Sequence, residues 1–327
     1  MAASGGTKAV VAALLANTGI AVTKFGAWFL TGSASMLAEA IHSVADSGNQ
    51  ALLLVGGKRA QRAATDAHPF GYGRERYVYA FIVSIVLFSI GGLFALYEAY
   101  HKFHEIAAGH GGDLLESRWR YIPLIVLGVA IVMESLSFRT AIVETNKVRG
   151  GHGWVPFICN AKAPELPVIL LEDFAALVGL VVAFASVTLA LVTHNLYFDV
   201  IGSAVIGVLL VAIAVILAIE VKSLLVGESA SHESVRLIRS AIEGTDGVER
   251  LIHLKTLHIG PEELLVAAKI GVPSDATGES IARTIDAAER RLREADPMAV
   301  QVFLEPDIFR RDYTPAERPA PPHAPSH

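Results

Sequence analysis

Residues 34–57 read ASMLAEAIHSVADSGNQALLLVGG, the second of six apolar segments in the chain. Within it, Glu39, His42, Asp46 and Asn49 follow one another at intervals of three, four and three residues. This spacing places the four side chains on one stripe of a helix. Ionisable groups at membrane depth are costly unless they are paired, hydrated or bound to an ion. The stretch therefore predicts a membrane helix with one functional polar face.

The composition of the whole chain favours a membrane protein. The chain has 327 residues, of which 53% are hydrophobic and 18% charged, with a mean hydropathy of +0.48. A chain with these values is more apolar than an ordinary soluble enzyme. It is apolar enough to contain several membrane spans of roughly 20 residues each. The net charge is −5 and no run of Lys and Arg occurs, so nucleic acid is not an expected partner. The single cysteine, Cys159, excludes an intramolecular disulfide and a cysteine-rich metal site.

Six apolar segments are each long enough to cross the hydrocarbon core as a helix. Segments one and two are separated only by residues 31–33, and segments five and six only by residues 194–196, so each pair is predicted to form a tight antiparallel hairpin. Basic residues concentrate in the links between segments two and three and between four and five, which places these links and both termini in the cytoplasm. The segments are 7–31, 34–57, 77–101, 119–143, 167–192 and 198–226.

The pattern becomes that of a soluble domain near residue 228. An amphipathic helix, two strands, a second helix and a third strand follow in order. We therefore expect a six-helix membrane domain over 1–227, a cytoplasmic α-β-β-α-β domain of the α+β class over 228–310, and a disordered Pro-rich tail over 311–327. The predicted elements are 231–243, 248–258, 264–272, 278–295 and 299–304.

The polar stripe of segment two suggests a metal site. A neutral imidazole and a carboxylate one helical turn apart, such as His42 and Asp46, can chelate a divalent ion. Mixed nitrogen and oxygen ligands favour zinc or a similar transition metal over magnesium or calcium. A second acidic signature, Glu172-Asp173, lies near the start of segment five. The alternative interpretation is that these polar residues only hydrogen-bond the helices to one another.

Segment one can be aligned with this stripe by counting residues from the shared turn. Lys24 then lies at the depth of Glu39, and Asn17 at the depth of Asp46. We expect a Lys24–Glu39 ion pair, with Asn17 as a supporting hydrogen-bond partner of the site. Glu134 in segment four is a further carboxylate, expected to pair with a neighbouring helix or to relay protons.

These motifs together resemble the cation diffusion facilitator family. The resemblance implies six-helix homodimers with a cytoplasmic, metallochaperone-like (ferredoxin-like) domain, which export divalent cations, usually zinc, in exchange for protons. It also implies that His42 and Asp46 are ligands from the second helix and Asp173 from the fifth. The matching stretches are GSAS (32–35), HSVAD (42–46), HPFGYGRE (68–75), LED (171–173) and SLLVGE (223–228).

The sequence departs from the family pattern in the fifth helix. Zinc exporters of the family place a His four residues before the aspartate, whereas this chain has Ile169 there. Glu172 is a candidate to replace the missing histidine as a ligand, although it is rotated by about 100° from Asp173 on a helix. Asn49 of the second segment is a further candidate ligand. The alternative is that Glu172 only pairs with a neighbouring helix. The surrounding LLED and ADSGNQ patterns resemble the branch that contains zinc transporter nine.

Two further sites of the family are only partly retained. His68 matches a ligand position and has Asp66 nearby, but Tyr72 replaces the second histidine. In the C-terminal domain Phe303 and Leu304 occupy expected ligand positions, so this domain is predicted to dimerise more than to sense metal. The family resemblance also implies a charge contact between Arg74 and Glu228 at the hinge between the domains.

The expected function is proton-coupled efflux of a divalent cation by alternating access. Zinc is favoured, with Fe²⁺, Mn²⁺, Co²⁺ and Cd²⁺ as open alternatives, and no other cofactor is expected. The expected partners are the metal ion, protons, the lipid bilayer and a second copy of the chain, in the plasma (inner) membrane of a prokaryote. A transport-inactive metal sensor or scaffold is the alternative. An integral-membrane hydrolase lacks a nucleophile motif, so no enzyme is expected.

Overall fold

The computed structural model describes residues 2–31, 34–108, 121–151 and 153–310. All six predicted apolar segments are helical in these ranges. Five helices (α1, α3, α4, α6 and α7) are long and apolar enough to cross a membrane, whereas the polar stripe of α2 lowers its hydropathy. The helices are α1 (Ala2–Thr31), α2 (Ala34–Ala60), α3 (Glu75–Ala107), α4 (Ile122–Arg149), α5 (Trp154–Asn160), α6 (Glu165–Thr193) and α7 (Tyr197–Val226).

Two membrane helices are longer than the apolar pattern predicts. The expected ends of α3 and α4 were residues 101 and 143, but the helices continue to Ala107 and Arg149. Apolar periodicity reports only the part of a helix that is buried in lipid or protein. The polar extensions carry ion pairs one turn apart, such as Lys102–Glu98 at 3.1 Å, which support a helix in water. The short α5 between α4 and α6 was not predicted.

The tight turn between α6 and α7 is confirmed. Helix α6 ends at Thr193 and α7 begins at Tyr197. His194 reverses the chain in the left-handed region, with φ of 52°. The side-chain oxygen of Asn195 accepts a hydrogen bond from the Tyr197 amide at 3.0 Å. This local bonding lets two long apolar helices return side by side.

Helices α3 and α7 pack closely through small residues. A Cβ atom at Gly207 of α7 would lie 2.7 Å from Leu96 Cγ, and one at Gly92 of α3 would lie 2.6 Å from Val211 Cγ2. Gly92 falls in a π-helical segment of α3, Leu87–Leu93. Small residues that let backbones approach are a common basis of helix association in membranes.

The C-terminal elements form a mixed three-stranded sheet with two helices. They are α8 (His232–Glu243), β1 (Arg250–Gly260), β2 (Glu263–Gly271), α9 (Gly278–Ala295) and β3 (Ala299–Asp307), in the predicted order. The strand order is β1-β2-β3, and β2 pairs with β3 in parallel from Leu264↔Ala299 to Gly271↔Asp307.

Side-chain caps and an apolar core explain these elements. Ser231 accepts a hydrogen bond from the Ser234 amide at 3.1 Å and so caps α8. Thr277 caps α9 in the same way through the Ser280 amide at 3.2 Å. The helices bury their apolar faces against the sheet, in a core that includes Ile238, Ile242, Leu264, Val266, Ile270 and Leu292.

The chain divides into two compact units. One comprises residues 1–228 together with 258–263, and the other residues 229–257 with 264 onward. The sequence predicted a domain boundary between residues 227 and 228, with the whole β1–β2 hairpin in the second domain. In the structure the turn of this hairpin, residues 258–263, belongs to the first unit. The predicted tail, 311–327, lies outside the described residues.

The close packing of α3 and α7 makes a testable prediction. Gly207→Val should destabilise the protein by about 1–3 kcal/mol, because the new side chain overlaps Leu96 and its backbone. The matched control is Gly128→Val in α4, where a Cβ meets nothing within 4 Å. Thermal unfolding in detergent measures both. Equal melting temperatures for the two variants would contradict the packing.

Candidate metal site

The buried polar residues of the first unit gather around α6. Asp173 is 0% exposed and Glu172 3% exposed, although both lie in an otherwise apolar helix. Helix α6 packs against α1, α4 and α7. Burying a charge without compensating partners is strongly unfavourable. The neighbouring helices must therefore supply partners for these carboxylates.

Asp173 has one paired and one unpaired oxygen. Ser137 Oγ of α4 donates a hydrogen bond to Asp173 Oδ2 at 2.9 Å. The other oxygen, Oδ1, is buried and has no hydrogen-bond partner among the described atoms. A buried acceptor without a partner costs on the order of 1–3 kcal/mol, and more when it is charged. Oδ1 is therefore a candidate position for binding a cation or a proton.

Glu172, by contrast, has both oxygens paired by α2. Asn49 Nδ2 donates to Oε1 at 2.9 Å, and Gln50 Nε2 donates to Oε2 at 3.2 Å. The three side chains are almost completely buried. We call this group the amide clamp. The structure thus brings the two candidate ligands Asn49 and Glu172 together as partners of each other, which favours the interpretation that Glu172 joins helices.

A small cavity with both apolar and polar lining residues lies near these residues. Its volume is about 60 Å³, which exceeds the space that one water molecule needs. Most of its lining is apolar and comes mainly from α6, including Ala176 and Gly179. Its polar lining residues are Asn17 and Lys24 from α1, Ser43 and Asp46 from α2, and Glu134 from α4.

Two of the three predicted supporting residues, Asn17 and Lys24, line this cavity. Asn17 is buried and lines it together with Asp46, and its role at a metal site stays a prediction. Lys24 is buried and its Nζ donates to Ser43 Oγ at 2.9 Å. The side chain of Glu39 lies outside the described part of the chain, so the Lys24–Glu39 pair stays a prediction.

The histidine of the predicted site also lies outside that part. His42 belongs to α2, but its side chain is not described. Among the described residues, no three His, Cys, Asp or Glu side chains are arranged to hold a metal ion. The His42–Asp46–Asp173 ligand set therefore stays a prediction. Ile169, one turn before Asp173, is 0% exposed and packs in the apolar core, so α6 adds no ligand there.

The accessory positions show no metal cluster in the described ranges. Asp66 and His68 are exposed in the α2–α3 link. The His68 ring packs on Tyr72 with centroids 4.7 Å apart. His232 and His253 in the C-terminal elements are also exposed. None of these residues is positioned as a ligand set.

The predicted hinge contact is corrected by the structure. Glu228 forms its ion pair with Lys162, and Glu165 is paired in a bidentate manner with Arg76, whose Nη2 lies 2.8 Å from Oε2. No Arg74–Glu228 pair occurs among the described ion pairs. Burial raises the pKa of Glu228, but the bonds from Lys162 and Ser223 outweigh it and lower the pKa overall. Half-buried charges of the same sign that lie near one another can serve as alternative partners, so the spacing of residues in the sequence could not select the pair.

Three residues that hydrogen-bond to the buried polar side chains were missed from the sequence: Ser43, Gln50 and Ser137. A signal existed for each of them. Ser43 lies four residues after Glu39, and Gln50 lies four residues after Asp46. Both residues therefore extend the polar face of α2. Ser137 follows Glu134 by three residues on α4. Uncharged polar residues are common in membrane helices, which makes them weak signals without a structure.

Comparison with known proteins identifies the family. Residues 10–226, which contain the buried carboxylates and the cavity, match the cation efflux transmembrane domain. The chain belongs to the cation diffusion facilitator family of cation efflux proteins. This match confirms the fold class and a transporter family instead of an enzyme family, and it establishes a multi-pass membrane protein.

Several known proteins are similar to this chain in sequence at moderate identity. The chain is 30% identical over 268 residues to the proton-coupled zinc antiporter SLC30A9, mitochondrial, of Xenopus laevis, which covers 81% of this chain and 46% of the relative. It is 29% identical over 265 residues to metal tolerance protein C4 of Arabidopsis thaliana, and this match covers 80% of this chain and 56% of the relative. It thus spans about half the length of these relatives. It is also 24% identical over 305 residues to the manganese efflux system protein MneP of Bacillus subtilis, and this match covers 90% of this chain and 95% of the relative. The first match supports the resemblance to the zinc transporter nine branch.

The amide clamp predicts energetic coupling between α2 and α6. Glu172→Ala and Asn49→Ala should each destabilise the protein, and their effects should be non-additive by about 0.5–3 kcal/mol, because either change breaks the same bond. Reversible unfolding of the two single variants and the double variant measures the coupling. As a control, Glu172→Ala with the distant Ser186→Ala should be additive within about 0.5 kcal/mol. Additivity in the Asn49 cycle would show that the clamp contributes no stability.

Proposed function

We propose that this chain exchanges a divalent metal cation for protons across a membrane, with zinc as the favoured cation. The observation that carries the proposal is Asp173, a fully buried carboxylate in a membrane helix with one oxygen unpaired. Ionisable groups in such positions mark ion and proton pathways. The adjacent cavity, lined by Asp46, offers space for an ion.

The proposed ligands are His42, Asp46 and Asp173. Imidazole nitrogen and carboxylate oxygen together suit zinc, and they also bind other first-row transition metals. The printed names of similar proteins include a zinc antiporter and a manganese efflux protein, which supports a divalent transition metal as the substrate. Fe²⁺, Co²⁺ and Cd²⁺ are chemically compatible alternatives.

The proposed mechanism is alternating access. A cation that enters from the cytoplasm displaces protons from His42, Asp46 and Asp173, because metal ligands bind in their deprotonated forms. The helices then rock so that the site faces the other side, and reprotonation releases the cation. Histidine in model peptides titrates near pH 6.5, so His42 is suited to couple the two ions.

The proposed setting follows from charge distribution and from the family. Basic residues in the α2–α3 link and in the segment between α4 and α6 favour a cytoplasmic position for these links and for both termini. We place the protein in the plasma (inner) membrane of a prokaryote as a homodimer. The Bacillus subtilis relative, matched over 95% of its length, supports the prokaryotic setting.

Transport in proteoliposomes tests the proposed function. Zinc added to vesicles that contain the wild-type chain should drive counterflow of protons. Asp173→Asn and Asp46→Asn should abolish both fluxes while leaving the protein folded, because each change removes a ligand and relieves a buried charge. Zinc-sensitive and pH-sensitive dyes measure the two fluxes together.

The control is Asp275→Asn, which makes the same chemical change at an exposed position of the second unit and should transport normally. A wild-type chain that moves no zinc, iron, manganese, cobalt or cadmium would support the scaffold or sensor alternative. Wild-type flux in Asp173→Asn would refute the assignment of this residue.

Metal ranking tests the role of His42. His42→Asp makes the proposed site all-oxygen, which should weaken zinc binding and favour a harder ion such as manganese. Competition between zinc and manganese in the same flux assay measures the ranking. An unchanged ranking would place His42 outside the set of ligands.

A further inference from the structure

We propose that Glu134 of α4 is an additional ligand of the transported cation, acting with Asp46 from within the cavity that both residues line. This inference rests on the proposed transport function and deepens it. Neither the amide clamp nor the contacts of Asp173 involve Glu134, so it needs a separate explanation.

Glu134 is buried without a full set of partners. It is 1% exposed, and its Oε1 has no hydrogen-bond partner in the described part of the chain. Most buried polar groups in proteins are hydrogen-bonded, and a carboxylate is among the costliest to leave unpaired. A purely structural Glu134 would be expected to have both oxygens satisfied, as Glu172 has.

The position of Glu134 makes its carboxylate available to a cation. Glu134 and Asp46 line the same cavity of about 60 Å³. Glu134 also lies within electrostatic range of Asp46 and Asp173. Ionised carboxylates within this range repel one another, so a cation bound beside Glu134 and Asp46 would lower the electrostatic cost of their burial.

Lys24 contributes one positive charge beside this cavity. Its ammonium lines the cavity and acts electrostatically on Glu134, and its Nζ donates a hydrogen bond to Ser43 of α2. The Lys24 ammonium is therefore held by α2, and no hydrogen bond from it to Glu134 Oε1 occurs among the described atoms.

Helix α4 is well placed to supply a ligand that α6 lacks. Ile169 contributes only apolar packing one turn from Asp173. Ser137, one turn beyond Glu134, is bonded to Asp173 and fixes this face of α4 against α6. A carboxylate in place of an imidazole makes the site richer in oxygen, so it should accept manganese more readily than a site with two histidines.

Calorimetric titration of the full chain in detergent with Zn²⁺ and with Mn²⁺ tests the proposal. Glu134→Gln should weaken binding of both metals by more than about tenfold, while Glu134→Asp, which keeps a carboxylate, should retain most of the affinity. Glu134→His should raise the ratio of zinc to manganese affinity, because imidazole is the softer ligand. A structural role for Glu134 would not change this ratio.

The matched control is Glu144→Gln, a change at another buried carboxylate of α4, whose partner is Lys147 at 2.5 Å. It should bind both metals like the wild type. If Asp46→Asn loses binding while Glu134→Gln and Glu134→His keep the wild-type affinities and ratio, the inference is wrong and the proposed function stands. If Asp46→Asn and Asp173→Asn also bind like the wild type, the proposed function itself fails.

Discussion

The cost of burying a carboxylate in a membrane helix is the constraint on which this structure depends. Asp173 is completely buried, and only one of its oxygens has a protein partner among the described atoms. Such a group is tolerated when something else balances it. The surrounding helices leave one oxygen of Asp173 without a hydrogen bond among the described atoms, whereas they donate a hydrogen bond to each oxygen of Glu172.

That contrast is clearest between adjacent residues of α6. Glu172 and Asp173 project about 100° apart on the helix and therefore face different helices. Glu172 meets two amides of α2 and is satisfied, whereas Asp173 meets one hydroxyl of α4 and keeps an open oxygen. The amide clamp holds α2 beside α6, so Asp46 on the same face of α2 is kept near Asp173. Two neighbouring acids of one helix thus differ in how far the protein satisfies them, and this difference underlies the proposal that Asp173 binds the cation.

Much of this fold could be predicted because it follows from periodicity. The six apolar segments and the α-β-β-α-β order were correct, since lipid-facing and core-facing residues recur at regular intervals. The position of Asp173 within an apolar segment was also readable from the sequence. The partners of the buried polar residues could not be predicted, because they depend on how helices rotate and cross. Gln50, for example, completes the amide clamp but was not singled out in the sequence. Glu228 forms an ion pair with Lys162 instead of Arg74, because more than one basic side chain lies near it.

X-ray absorption at the zinc edge shows whether Asp173 belongs to a buried site for a divalent cation. The zinc-loaded full chain should show nitrogen and oxygen ligands at about 2.0–2.2 Å, with an imidazole contribution. Asp173→Asn, prepared in the same way, should lose the bound zinc or show one carboxylate fewer. An unchanged spectrum and zinc content in this variant would contradict the account.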